Sequence, residues 1–359
     1  MSKYKITLTP VDKFFFGGDM TFQVGNDKND KFNSQYSSYI IQSAMFPQQT
    51  SLLGMLRFLI LRNAGENVFK DNKIVDTKKA SELIGSQSFK VNTNHEENGF
   101  GAIKKISHVS VIRDGRELDF APLFGEINSM NTLDGILNFS EIKVPNLSKE
   151  QYDAKKDLTT HLFDGKNQYE LSNIFKEDRR IGIARSVETG RTDDGALFKQ
   201  ISYRFNNQQA KHCFVFYADV DDLDLKAYDG DMVAVGGDNS QFVISVSLAE
   251  EKNTNDSSSD CYVTLLSPAF LSRADVRENS KYAITKLMPF RFLTDRKDNK
   301  ENDGRAFHVL NSKLERSGRY ELYAPGSVFY FDGEEQKKQF IKIIESKKEF
   351  RQIGYNEYK

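Results

Sequence analysis

Residues 45–65 read Met-Phe-Pro-Gln-Gln-Thr-Ser-Leu-Leu-Gly-Met-Leu-Arg-Phe-Leu-Ile-Leu-Arg-Asn-Ala-Gly. The stretch carries a helix start, a face and a stop. Pro47 suits the first turn, where a missing N–H costs no intrahelical bond. Leu52, Leu53, Leu56, Leu59 and Ile60 recur at helical spacing and make an apolar stripe. Gly65 can take the left-handed conformation that ends a helix. In the first turn, Gln48, Gln49, Thr50 and Ser51 add side-chain donors to the free backbone N–H groups and the positive end of the dipole. That combination favours an anion such as phosphate. Gly54 lets another chain approach the backbone closely, and Arg57 adds positive charge on roughly the same side. The same residues also fit an ordinary buried helix with a polar cap.

Composition sets the outer bounds. A chain of 359 residues points to two domains with a sizeable core. No apolar run reaches ~18 residues, so no membrane span is expected. The start, Met-Ser-Lys-Tyr-Lys, leads into an alternating strand pattern rather than a signal peptide, and a cytoplasmic location is expected. Cys213 and Cys261 lack CxxC spacing, which argues against a disulfide scaffold or a structural zinc site. A net charge of −1 is not that of a free-standing nucleic-acid binder. The charge is uneven, however: residues 219–260 carry eleven Asp/Glu against two Lys, and residues 273–319 twelve Lys/Arg against seven Asp/Glu. This fits one face toward a polyanion and another toward solvent or a basic partner, and equally a set of solvated faces.

Along the chain, residues 4–10 alternate as a half-buried strand, and Phe14-Phe15-Phe16-Gly17-Gly18 follows as a turn. Phe15 and Phe16 offer faces for base stacking or fill the core. Residues 78–84 read as helical, 106–113 as a strand and 149–178 as a charged helix. The run from Arg179 to Phe205, with apolar ends around Gly190 and Gly195, predicts a long hairpin. Its Arg179, Arg180, Arg185 and Arg191 suit backbone phosphates. Strands are expected at 213–220, 232–235, 242–248, 262–266 and 327–331, a short helix at 222–228 and an amphipathic one at 335–350. The reading is α+β, two antiparallel sheets with helices on one face, joined at Asn206–Lys211.

These blocks resemble a known family. Leu8-Thr9-Pro10-Val11-Asp12, Phe15-Phe16-Gly17 and Phe46-Pro47-Gln48-Gln49-Thr50 with Gly54 and Arg57 resemble the opening of the third subunit of Cmr-type (type III-B) CRISPR effector complexes. Ile181-Gly182-Ile183, Arg185, Thr189 and Gly195-Ala196-Leu197-Phe198 resemble its central block. Ala324-Pro325-Gly326-Ser327-Val328-Phe329-Tyr330-Phe331 is similar to its closing strand, with Pro and Ala inverted. Val235-Gly236-Gly237-Asp238 and Leu265-Leu266-Ser267-Pro268-Ala269 fit as further blocks. Of the family's glycine-rich C-terminal loop only Gly354 remains.

The resemblance implies two ferredoxin-like, RRM-related domains of the RAMP superfamily, 1–208 and 209–359, with a thumb hairpin at about 179–204. It implies a non-catalytic subunit of a hetero-oligomeric complex. Such a subunit holds the 5′ tag of the guide crRNA and touches the large polymerase-like subunit and the first backbone RAMP subunit. By position, Gln48, Gln49, Thr50, Ser51, Gly54 and Arg57 would hold tag phosphates. The hairpin with Arg180, Arg185, Thr189 and Arg191 would separate tag from guide.

Enzyme readings are weaker. Gly-Gly-Asp occurs at 17–19 and 236–238, but Met20 and Asn239 follow, so the second carboxylate of a two-metal palm is absent. A guide-processing RAMP ribonuclease would need a general acid/base, and His308, beside Arg305, is the candidate. No P-loop, HExxH, EF-hand or GxSxG pattern is present, and no cofactor or metal is expected.

Overall fold

The computed structural model describes residues 1–17, 20–25, 36–86, 88–123, 136–139, 142–145, 160–185, 189–190, 192–208, 210–250, 262–295 and 314–359. Its largest sheet is built on the strand Ser2–Pro10, whose Tyr4, Ile6 and Leu8 alternate into the core. Ser2–Pro10 pairs antiparallel with His212–Val220 on one side and Gln241–Leu248 on the other. His212–Val220 in turn pairs with Ser110–Arg113. With the helix Gln49–Asn63 after the first strand, the unit runs strand, helix, strand, strand, one 3-10 turn (Leu225–Tyr228), strand, in lateral order 4-1-3-2.

The same order recurs in the second unit. Tyr262–Thr264, Tyr282–Ile284 and Val328–Tyr330 form a sheet with Val328–Tyr330 in the middle. The chain end closes it: Lys359 and Thr264 exchange backbone hydrogen bonds at 2.9 and 2.8 Å beside the Leu265–Tyr358 bridge. The helices Arg273–Asn279 and Glu334–Ser346 fill the two helix places. Phe329 and Phe331 pack on Phe340 in a separate small core.

This order corrects the expected division at 208/209. Residues 212–248 supply two strands flanking Ser2–Pro10, so the junction at 206–211 lies inside the first unit. Two other expectations change. The strand at 106–113 splits into Ile103–Ile106 and Ser110–Arg113, because at Ser107 the hydroxyl oxygen takes the Tyr217 N–H in place of a backbone carbonyl. The charged helix at 149–178 falls partly outside the described residues. Within them it is a hairpin, His161–Phe163 with Gln168–Glu170, then one helical turn at Leu171–Ile174. Gly165, at φ 89°, permits the turn, and Asp164 Oδ1 accepts the N–H groups of Lys166 (2.8 Å) and Asn167 (2.6 Å).

Those donors, the Asn167 N–H foremost, hold the Asp164 carboxyl down to about 2. A depressed carboxyl contributes stability that is present above its ordinary range and is lost as pH falls from about 4 toward the folded value. Asp164→Ala is expected to lower Tm at pH 7, with the gap to wild type closing as pH approaches 2 in thermal melts.

The Arg179–Phe205 hairpin forms as Phe175–Arg185 against Thr192–Phe205, with a register shift between Ile183 and Arg185. Thr192–Phe205 continues into a four-stranded sheet through a parallel pairing with Tyr36–Gln42. No helix among the described residues is long and apolar enough to cross a membrane.

Candidate nucleic-acid interface

The Gln49–Asn63 helix starts in the extended residue Gln48 with no side-chain cap and no acidic residue in its first turn. Ser51 and Leu52 both donate to the Gln48 carbonyl, at 2.9 and 3.2 Å. Pro47 is buried, while Gln48, Thr50 and Ser51 are half-buried and Gly54 is exposed, with open space where a Cβ would stand. This is an N-terminal turn with polar side chains at the rim and an unneutralised dipole.

Below the rim the turn is held from the far end of the sequence. Gln49 Nε2 donates to the Ser107 carbonyl at 2.7 Å, and Gln49 Oε1 is buried without a partner among the described residues. Gly354, at φ 84°, lies flat against that bond: a Cβ there would sit 2.1 Å from Gln49 Nε2 and 2.3 Å from the Ser107 carbonyl oxygen. The buried Tyr355 side chain belongs to the same C-terminal loop, and burial pushes its pKa up. The single glycine of the C-terminal loop therefore has a packing role under the helix start. Sequence reasoning missed the contact, although the isolated Gly354 was a signal for it.

Two expected contacts are corrected. Arg57 is 8 % exposed, and its guanidinium lies over the Phe100 ring at 4.8 Å, inside the chain rather than beside the first-turn donors. It stands four residues after Leu53 and three before Ile60, on the apolar stripe itself. Gln49, 2 % exposed, supports the turn from within and does not reach the rim.

Phe16 is also core. It stacks on Phe14 at 4.9 Å and on Phe242 at 5.8 Å and offers no face to a base. Phe15 points the other way and is half-buried. Its carbonyl accepts from Gly237 N–H at 2.7 Å, and its N–H donates to Ser240 Oγ at 2.8 Å. Gly236, at φ 90°, is pressed against the same carbonyl, 2.4 Å from where its Cβ would be. Here Gly236-Gly237-Asp238 is a turn that receives the Phe15 segment.

On the hairpin, Arg180 is exposed and 3.8 Å from Asp178, while Arg179 pairs with Glu177 at 2.6 Å. Thr189 is exposed near the tip. The Arg185 backbone pairs with Thr192. The Arg185 side chain, Arg191 and His308 lie outside the described residues. The structure thus brings Gln48, Thr50, Ser51 and Gly54 together at the rim of the helix start, and Arg180 stands apart from them on the hairpin. Among the described residues no cluster of His, Cys, Asp and Glu is arranged to hold a metal ion.

Comparison with known proteins bears on both features. A search of the curated proteins finds no match. Among solved structures, the chain is similar to one in a cryo-EM structure of the Type III-B Cmr-beta complex bound to cognate target RNA. The TM-score is 0.54 at 14% identity, covering 99% of this chain and 96% of that one. A second, of the same complex bound to cognate target RNA and AMPPnP in state 1, gives 0.52 at 15% identity, covering 99% and 95%. At these identities the likeness is one of fold. The family model described as CRISPR-associated protein (Cas_Cmr3) matches residues 6–151 and 147–358, nearly the whole chain. The chain belongs to this family, the Cmr3-type subunits of type III-B effectors that its sequence blocks resemble.

Proposed function

We propose that this subunit is non-catalytic. In this reading it binds the 5′ tag of the crRNA and bridges the large polymerase-like subunit to the first backbone subunit. The observation that carries the proposal is the first turn of the Gln49–Asn63 helix: uncapped, free of acidic residues, rimmed by Gln48, Thr50 and Ser51, and next to the bare backbone of Gly54. Phosphates are favoured there by N–H groups and dipole, with hydroxyls and amides fixing position. The repeated 4-1-3-2 order supports two ferredoxin-like units of the RAMP type, the first extending through residue 248 and the second from 262. The Phe175–Phe205 hairpin, with Arg180 exposed, is the proposed thumb.

The test is co-purification with the subunits encoded beside it, sequencing of the bound RNA and a salt titration. Repeat-derived RNAs with a shared 5′ end are expected. Arg185→Ala with Arg191→Ala should weaken RNA binding roughly tenfold or more, as expected from loss of charge-assisted hydrogen bonds. The log–log salt slope should flatten by about 1.4, at about 0.7 per phosphate contact on a single strand. Tm should be unchanged. Purification free of RNA, or RNA affinity indifferent to those arginines, would remove the reading.

A further inference from the structure

At the end of the first unit's sheet, the inner face stops being apolar. The positions that carry Phe214, Val111 and Leu118 across three strands are followed, two residues on, by His212, Arg113 and Arg116 in one row. Arg113 and Arg116 stand directly opposite each other because Asp114 (φ 47°) and Gly115 (φ 84°) form a two-residue left-handed turn between them. Like charges so paired repel, and a hairpin end has no need of two.

A pocket of ≈ 280 Å³ opens at this row, lined by Arg113, Asp114, Arg116, Asp164 and Tyr169. Its wall is fixed. The Arg113 guanidinium lies over the Tyr169 ring at 4.5 Å, and its Nη1 donates to the Tyr169 hydroxyl at 3.4 Å. That hydroxyl donates to Asp164 Oδ2 at 3.1 Å. The Asp164 side chain is 3 % exposed and already receives the Lys166 and Asn167 N–H groups, so its charge is committed to its own turn. Asp114 likewise accepts the Lys211 N–H at 2.9 Å.

Arg116 forms a long ion pair with Asp164 at 3.7 Å, beyond hydrogen-bond range, and is 67 % exposed. Among the described residues the two guanidinium groups make one hydrogen bond between them, the long one to Tyr169. Behind them His212 is buried, and burial followed by the Arg113 charge pushes its pKa down.

From this geometry we infer that the pocket is a second RNA contact, in which Arg113 and Arg116 take one phosphate of a single strand from the two sides of the Asp114–Gly115 turn. Planar forks bind phosphate oxygens in pairs. Two forks approaching from opposite strands suit a phosphodiester, whose two free oxygens share a full negative charge and point in different directions. The inference rests on the RNA-binding reading of the subunit but uses none of its residues.

The test employs the full chain with polyuridylate and the assembled complex with its own guide RNA. Arg116→Gln, an exposed position that leaves the Arg113–Tyr169 stack intact, is expected to flatten the log–log salt slope by about 0.7. Arg113→Gln with Arg116→Gln should lose roughly tenfold in affinity, as expected for charge-assisted bonds. Arg116→Lys should recover the slope, since it keeps the charge. If wild type binds RNA and Arg116→Gln leaves slope and affinity unchanged, the pocket is not an RNA contact and the helix-turn reading stands. If the double variant keeps RNA but drops a protein subunit from the complex, the occupant is a partner's carboxylate and the inference is overturned. If wild type binds no RNA at all, both readings fall.

Discussion

Gly354→Ala is expected to be among the most damaging single-methyl changes available in this chain. The residue sits at φ 84°, where an L side chain costs about 1–2 kcal/mol. The added Cβ would also stand 2.1 Å from Gln49 Nε2 and 2.3 Å from the Ser107 carbonyl oxygen. Those two atoms are the donor and acceptor of one 2.7 Å hydrogen bond, so the methyl acts as a wedge between them. The Ser107 backbone resists movement because its N–H is bonded to the Tyr217 carbonyl and its hydroxyl to the Tyr217 N–H. The total expected loss is about 3 kcal/mol or more, read as a lower urea midpoint. Gly165→Ala is the control: φ is 89° but nothing lies within 4 Å of the added carbon, so strain alone applies, about 1–2 kcal/mol. Equal losses at the two glycines would mean that Gly354 does not wedge the helix start.

That contact marks the limit of what the chain says when read along its length. The Gln49–Asn63 helix is legible because its apolar spacing, its Pro47 and its Gly65 are all local signals. The strand Ser2–Pro10 is legible for the same reason, by its period of two. Gly354 against Gln49 is a meeting of the two ends of the molecule, and no local pattern encodes a partner. The unit boundary was hidden likewise. Residues 114–211 separate the strands Ser110–Arg113 and His212–Val220 in sequence, and only the pairing of 212–220 with 2–8 shows that the later strand belongs to the first sheet.

The Arg57 error has a different origin, because its burial was readable. Arg57 falls within the apolar stripe, which already places it inside, but Phe100, the ring it covers, lies far off in sequence. In the 149–178 run the charged composition suggests a helix, whereas Asp164-Gly165 carries the turn signal that the hairpin obeys.

Phe14→Ala should destabilise most of all, and the reason separates it from its neighbour. Phe14 is 1 % exposed, with ring centroids of Phe16, Phe214, Phe205 and Phe242 at 4.9, 5.4, 5.7 and 6.0 Å. Its backbone exchanges hydrogen bonds with Tyr203 at 2.7 and 3.0 Å, tying the large sheet to the base of the hairpin. Removing the ring leaves a cavity that a segment pinned on both sides cannot collapse into. The expected loss is about 3–5 kcal/mol, measured by denaturant unfolding, against under about 1.5 kcal/mol for Phe14→Leu if the site repacks. Phe15→Ala is the informative companion. Its ring is on the other side of the chain, half-buried beside Gly237, so its loss should cost stability far less. A fall in RNA affinity for Phe15→Ala at near-wild-type Tm would make Phe15 the stacking face that Phe16 is not. A loss of stability equal to that of Phe14→Ala would instead make the whole Phe14–Phe16 segment core, with no face left for a base.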